Sequence, residues 1–297
     1  MSLEVLTISY LETDADEQFE SSLRHSGFAV IKDHPVPNEL INTVYDEWAS
    51  FFISAEKHDY LFNEEKQDGY FPYLTENAKG SKAKDLKEFY HIYPWGRMPQ
   101  TMSGASLSLF HALTEVASTL LGWVQANAPD EVQSLFSMPL KDMIQNSQSN
   151  LFRIIHYPPM SWNESPTAIR AAAHEDINLL TMLVAGSEPG LQVLDLDGQW
   201  HDISCDQDTI IVNSGDMLKM ASGGYYPSTT HQVINPKVTE NVSRYSIPLF
   251  LHPRNEVILS KSHTAESFLR ERLEEIGLKY KVTKIKINPG GEFSKGE

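Results

Sequence analysis

From Leu151 onward the chain breaks into eight short apolar runs, at 151–157, 168–173, 179–184, 191–194, 209–213, 217–220, 229–234 and 243–251. Turn signals separate several of them: EPG at 188–190, DLDGQ at 195–199 and NSGD at 213–216. Gly, Pro, Asn and Asp stop strands because they supply the backbone angles that tight turns require. Runs of this length and number predict a mainly β protein with flanking helices, built on a double-stranded β-helix: a jelly-roll, cupin-like barrel enclosing a site between its sheets. The N-terminal half reads differently. Residues 11–27 predict a helix with acids in its first turn and Gly27 ending it, FAVIK (28–32) a strand, and Asn38 to Phe52 a second helix. Ala105 to Ala126 predicts a long helix whose stripe of Leu109, Leu113, Val116, Leu120 and Val124 should pack on the barrel's outer sheet. Residues 262–277 predict a closing helix with Thr264 as N-cap and Gly277 at its end, followed by a polar tail at 288–297 expected to be mobile. The organisation is therefore a mixed helical region at 1–147, a jelly-roll core at 148–260, and a terminal helix and tail at 261–297. There is no internal repeat.

Within the strand-rich half, HEDINLLTML (174–183) places His174 and Asp176 two residues apart, and STTHQVINP (228–236) carries His231. Side chains at i and i+2 of an extended segment project to the same side. Two imidazoles and one carboxylate form the donor set that holds a non-haem Fe(II) ion on one face. The His-x-acid pair alone says little, because 11 histidines and 40 acids in 297 residues give about 1.5 such pairs by chance. The ordered set carries the weight. His231 follows after 55 residues (231 − 176), and Arg244 and Ser246 of SRYSIPLF (243–250) come 13 residues later (244 − 231). Alternation sends Arg244 and Ser246 to one face and Tyr245 and Ile247 to the other, so a guanidinium and a hydroxyl share a cavity, a pair suited to a carboxylate.

A His-x-Asp, a distant His and an Arg-x-Ser, in that order, resemble the isopenicillin N synthase-like family of Fe(II)/2-oxoglutarate dioxygenases. The resemblance implies that His174, Asp176 and His231 are the metal ligands, and that Arg244 and Ser246 bind the distal carboxylate of 2-oxoglutarate. LFRIIHYPP (151–159) resembles the family strand ending in Tyr-Pro, which puts Tyr157 at the tyrosine that helps hold that carboxylate. Two positions depart from the pattern. Ile155 stands where the family often has Asn, so one polar contact is missing or supplied elsewhere, and Asn178 stands where a small residue is common. The implied activity is an iron-dependent oxygenation of a small molecule, using Fe(II), 2-oxoglutarate and O2 and releasing succinate and CO2. Hydroxylation is the default outcome, with desaturation or cyclisation set by residues beyond the ligands. Two alternatives stay open at this point. One is an Fe(II) oxidase of the isopenicillin N synthase or aminocyclopropane carboxylate oxidase type, which does not use 2-oxoglutarate. The other is a non-catalytic metal- or ligand-binding barrel.

The segment from His58 to Arg97 reads as irregular, and loops on rigid scaffolds carry specificity. By resemblance it covers the barrel mouth, making Tyr70, Tyr73, Lys87, Phe89 and Tyr90 the candidate substrate residues. His156, His201 and His252 are assigned to structure or surface. A formal charge of −16, from 24 basic and 40 acidic residues, argues against nucleic acid or an anionic membrane as the main partner. The apolar runs read as too short for a bilayer span. One cysteine, Cys205, excludes an intrachain disulfide and favours a reducing, cytoplasmic setting. Oligomeric state is not legible.

Overall fold

The structure is a computed structural model and describes residues 3–76, 83–161, 163–165, 167–204, 206 and 208–275; Cys205, Gly277 and the 288–297 tail lie outside the described residues. The chain opens with β1 (Thr7–Ser9), α1 (Ala15–Ser26), β2 (Phe28–Lys32) and α2 (Asn38–Ile53), then β3 (Gly69–Phe71), β4 (Glu88–Ile92) and α3 (Ala105–Asn127). Two short helices, α4 (Asp130–Gln133) and α5 (Leu140–Met143), lead into β5 (Leu151–Tyr157). Next come β6 (Ala171–His174), β7 (Leu180–Val184), β8 (Leu191–Leu194), β9 (Trp200–Asp202), β10 (Ile210–Ser214) and α6 (Asp216–Ala221). β11 (His231–Val233), β12 (Arg244–Leu251) and α7 (Ala265–Glu275) complete the order.

Two sheets form. The major one has eight strands in the order β1-β2-β10-β7-β12-β5-β4-β3, and the minor one has four in the order β6-β11-β8-β9. Alternation sorts the major sheet into two faces. Ala29, Ile31, Phe152, Ile154, Met182 and Leu249 point outward into the core shared with the helices. Phe28, Val30, Ile155, Tyr157 and Ile211 point inward, where they meet Ala171, Leu191, Val193 and Val233 of the minor sheet. This is the expected jelly-roll. The α3 stripe of Leu109, Leu113, Val116, Leu120 and Val124 is buried as its periodicity predicts. Although α3 has the length and apolarity of a membrane span, its apolar face is occupied by α1, α2, α5 and the outer surface of β7 and β12.

Three local readings differ from expectation. Residues 217–220 are helical: Met217, Leu218 and Ala221 are the buried positions of α6, an i, i+1, i+4 spacing that a four-residue window cannot separate from a strand. The 168–173 run enters a strand only at Ala171, and the β6–β11 register pairs His231 with His174 and Val233 with Ala171. β6 therefore carries one extra residue there, a bulge that lets Ala171 and His174 both address the interior. The supposedly irregular 58–97 segment contains β3 and β4, which extend the major sheet beside β5. The N-terminal region thus supplies four strands of that sheet, at both of its edges, as well as bracing it.

Gly27 ends α1 in the left-handed conformation, at φ 74°, with its N–H donating to the Leu23 carbonyl. A Cβ at this position would sit 2.4 Å from Thr229 Oγ1, which itself donates to the Ser26 carbonyl at 2.8 Å. Gly27→Ala is expected to lower unfolding stability by at least about 1 kcal/mol, from the left-handed penalty alone, read as a reduced midpoint in urea denaturation.

Candidate metal centre

The two imidazoles come from the minor sheet, His174 closing β6 and His231 opening β11, and they are direct cross-strand partners. Their ring centroids are 4.4 Å apart. Asp176 does not continue the strand. It lies in the loop after β6, and its Oδ1 is 3.8 Å from Nε2 of each imidazole. One donor atom from each of the three residues lies within 4.8 Å of the others, close enough to share one metal ion.

The surroundings fix which atoms face the centre. His174 Nδ1 is 2.8 Å from the Ala172 carbonyl and His231 Nδ1 is 3.1 Å from the Thr229 carbonyl. A carbonyl only accepts, so each ring carries its proton on Nδ1 and turns the Nε2 lone pair inward. Burial, then the neighbouring His231 ring, lowers the His174 pKa to about 4, which keeps the ring neutral and able to ligate. Asp176 Oδ2 accepts from Thr181 Oγ1 of β7 at 2.5 Å and from Asn213 Nδ2 of β10 at 2.8 Å. Burial alone would raise the Asp176 carboxyl, but the two imidazoles and these hydrogen bonds outweigh it and hold the pKa below the ordinary carboxylate value. The donor set is therefore two imidazole nitrogens and one carboxylate oxygen, which fits a divalent first-row ion.

Asn178 belongs to this support. It is fully buried, and its Nδ2 donates to the Leu180 carbonyl at 2.7 Å and to Thr181 Oγ1 at 3.0 Å, aiming the threonine at Asp176. Gly215 packs against the same loop, and a Cβ there would meet the Asn178 carbonyl at 2.3 Å and the Asp176 carbonyl at 2.8 Å. Sequence reasoning missed Thr181, Asn213 and Gly215. Their only trace was Thr181 at an inward position of a strand beginning just after the acid.

Arg244 and Ser246 face inward from β12, opposite Tyr157 and Ile155 of β5. The Arg244 guanidinium is buried 5.2 Å from the Tyr157 ring centroid and donates through Nε to the Glu188 carbonyl at 2.9 Å. Its Nη1 is buried without a hydrogen-bond partner.

A cavity of about 580 Å³ opens on His174 and Asp176 and is walled by Lys87, His91, Arg153 and aromatic side chains that include Phe71, Tyr93 and Trp95. Lys87 Nζ bridges Glu76 at 2.8 Å and Asp85 at 2.9 Å. Of the five residues expected to meet substrate, only Lys87 lines this cavity. β3 and β4 explain the rest, because alternation turns Tyr70 and Tyr90 toward the helices. The Tyr70 hydroxyl donates to Glu88 and the Tyr90 hydroxyl to the Arg97 carbonyl, both rings being buried beside Phe51. Phe89 faces inward but is fully covered, stacked on Phe71 with Arg153 over its ring. Tyr73 lies within electrostatic reach of Arg170, away from the cavity. Among the other histidines, His156 is buried between Glu88 and Ser243 and His201 is paired with Asp195. His252 lines the cavity, and burial lowers its pKa to about 4.

A buried two-histidine, one-carboxylate set inside a jelly-roll defines a class of metal-dependent oxygenases, and comparisons with known proteins agree. Residues 148–253 match the 2OG-Fe(II) oxygenase superfamily, and residues 5–107 match the N-terminal region of non-haem dioxygenases of the kind found in morphine synthesis. A 2-oxoglutarate-Fe(II) type oxidoreductase of Emericella nidulans is 30% identical over 266 residues, spanning 79% of this chain and 72% of the relative. A flavonol synthase/flavanone 3-hydroxylase of Arabidopsis thaliana is 28% identical over 246 residues, spanning 78% and 70%. A crystal structure of a Shewanella oneidensis protein assigned as an oxygenase is 49% identical with a TM-score of 0.84, covering 94% of this chain and all of that one. The chain belongs to this family and is a non-haem Fe(II)- and 2-oxoglutarate-dependent oxygenase, with O2 as its oxidant.

Thr181→Val keeps the side-chain shape and removes the hydrogen bond to Asp176. It is expected to leave the fold intact and to weaken Fe(II) or Co(II) binding about 10- to 100-fold, measured by metal titration.

Proposed function

We propose that His174, Asp176 and His231 hold the ferrous ion, that Arg244, Ser246 and Tyr157 receive the distal carboxylate of 2-oxoglutarate, and that the cavity walled by Lys87 and Arg153 takes a small organic substrate. The observation that carries this reading is the convergence of three donor atoms within 4.8 Å, each with its other polar atom already committed to protein. When bound, Fe(II) with 2-oxoglutarate and O2 supplies the oxidation of a C–H bond, one oxygen atom entering the substrate and the other succinate as CO2 leaves. The protein's share is positioning. The carbonyls of Ala172 and Thr229 hold the imidazole protons away from the centre, and Thr181 and Asn213 fix one Asp176 oxygen so that the other is free to ligate. Arg244 offers a planar fork that matches a carboxylate bidentately, and Ser246 adds one directed hydrogen bond.

The cavity wall combines flat aromatic surface with a charged ladder in which Lys87 is shared by Glu76 and Asp85, and Arg153 Nε donates to His91. Such a wall suits a substrate with a planar body and polar substituents. The flavonol synthase relatives act, by name, on molecules of that shape, which supports the reading. Hydroxylation is the outcome we assign. A cytoplasmic location accords with the single cysteine.

Fe(II)-loaded protein under O2 is expected to release succinate only when 2-oxoglutarate is added. Asp176→Ala should lose both bound metal and succinate release, and full activity in that variant would overturn the ligand assignment. Arg244→Met should retain metal and raise the KM for 2-oxoglutarate by the equivalent of about 1.5–3 kcal/mol, the contribution of a charged hydrogen bond.

A further inference from the structure

Arg170 precedes β6 by one residue, and like Arg244 it is only 2% exposed. Its backbone is pinned, the N–H donating to Asn235 Oδ1 at 3.0 Å while Asn235 Nδ2 donates to the Ala168 carbonyl at 2.9 Å. The side chain reaches the same ring as Arg244, with its guanidinium carbon 5.9 Å from the Tyr157 ring centroid and that of Arg244 at 5.2 Å. Each guanidinium gives one hydrogen bond to a backbone carbonyl, Arg170 Nη2 to Val242 at 2.7 Å and Arg244 Nε to Glu188 at 2.9 Å. Each also has a buried nitrogen with no partner, Arg170 Nε and Arg244 Nη1. Among the described residues no carboxylate oxygen comes within 4.0 Å of either. Burial, then the Arg244 charge, lowers the Arg170 pKa, with Tyr157 and Glu188 opposing.

Two guanidiniums buried on one aromatic ring repel each other and are costly to desolvate unless an anion joins them. Among the described residues none is in contact with either. Ile155, directly opposite Ser246 in the β5–β12 register, is apolar and offers such an anion no polar contact. We propose that Arg170 is a second guanidinium of this pocket, joining Arg244 on the distal carboxylate of 2-oxoglutarate and supplying the polar contact that Ile155 does not. Arg170 then adds to the selectivity that Arg244 gives the site for a dicarboxylic 2-oxo acid. This rests on the co-substrate assignment made above for Arg244 and Ser246.

The test is calorimetric titration, without O2, of 2-oxoglutarate and of 2-oxobutyrate, which lacks the distal carboxylate, into Mn(II)-loaded protein. Arg170→Gln keeps a donor toward the Val242 carbonyl and removes the charge. It is expected to bind 2-oxoglutarate at least about tenfold more weakly, the fold-change of one charged hydrogen bond, with 2-oxobutyrate affinity unchanged. Arg170→Met is expected to show the same loss, so the result does not depend on one variant folding. 2-Oxoglutarate affinity within twofold of the unsubstituted protein overturns the proposal, as does an equal loss for both ligands, which marks a purely structural role. Arg244→Met separates the two levels. If it loses 2-oxoglutarate affinity and the Arg170 variants do not, Arg170 alone is misassigned; if none of them loses affinity, the co-substrate pocket itself lies elsewhere.

Discussion

The Asp176 carboxylate is where the two sheets of the barrel are tied into one site. Oδ1 faces the imidazoles of β6 and β11 in the minor sheet, and Oδ2 is held by Thr181 of β7 and Asn213 of β10 in the major sheet. A carboxylate can serve both because it has two oxygens with several acceptor positions. Its loop is clamped further, as Asp216 N–H donates to the Asp176 carbonyl at 2.8 Å and Gly215 lets the backbones approach. The donor geometry therefore depends on the distance between the sheets, which the inward-facing apolar residues set by filling the space between them.

The interior holds opposite charges at separate stations. The anionic Asp176 lies with the two histidines on the minor-sheet side, and the cationic Arg170 and Arg244 flank Tyr157, a β5 residue of the major sheet. On the proposed reading, 2-oxoglutarate, which carries a carboxylate at each end, would join the two stations. A divalent cation held there would offset the charge of Asp176. Each buried group thus has a natural counterpart among the cofactors, which is the condition under which buried charge is tolerated.

Features that repeat with a period were legible in the sequence. The α3 stripe, the strand runs on both sides of His174, and the inward pairing of Arg244 with Ser246 all follow from spacing alone, and the ordered motif identified the family. What was not legible depended on contacts between distant segments or on departures from the period. Asn213 meets Asp176 across 37 residues of sequence (213 − 176), with no local pattern marking it. The bulge in β6 breaks the alternation that would place Ala171. β3 is three residues long and β4 is preceded by the charged stretch KAKDLK, so neither reads as a strand until β5 is laid beside it. Tyr70 and Tyr90 were read as pocket residues for that reason, since aromatic content says nothing about which side of an unrecognised strand a ring occupies.

β4 has a further consequence. Its odd-numbered side chains Phe89 and His91 continue the Lys87 face toward the barrel, while Glu88, Tyr90 and Ile92 close the layer under the helices, where Glu88 gathers Tyr70, Lys57 and His156 around one carboxylate. The strand is a partition with independent sides. If the cavity takes the substrate as proposed, replacements at 87 and 91 would reshape its wall and the ion pairs there without touching the Glu88 cluster on the other side.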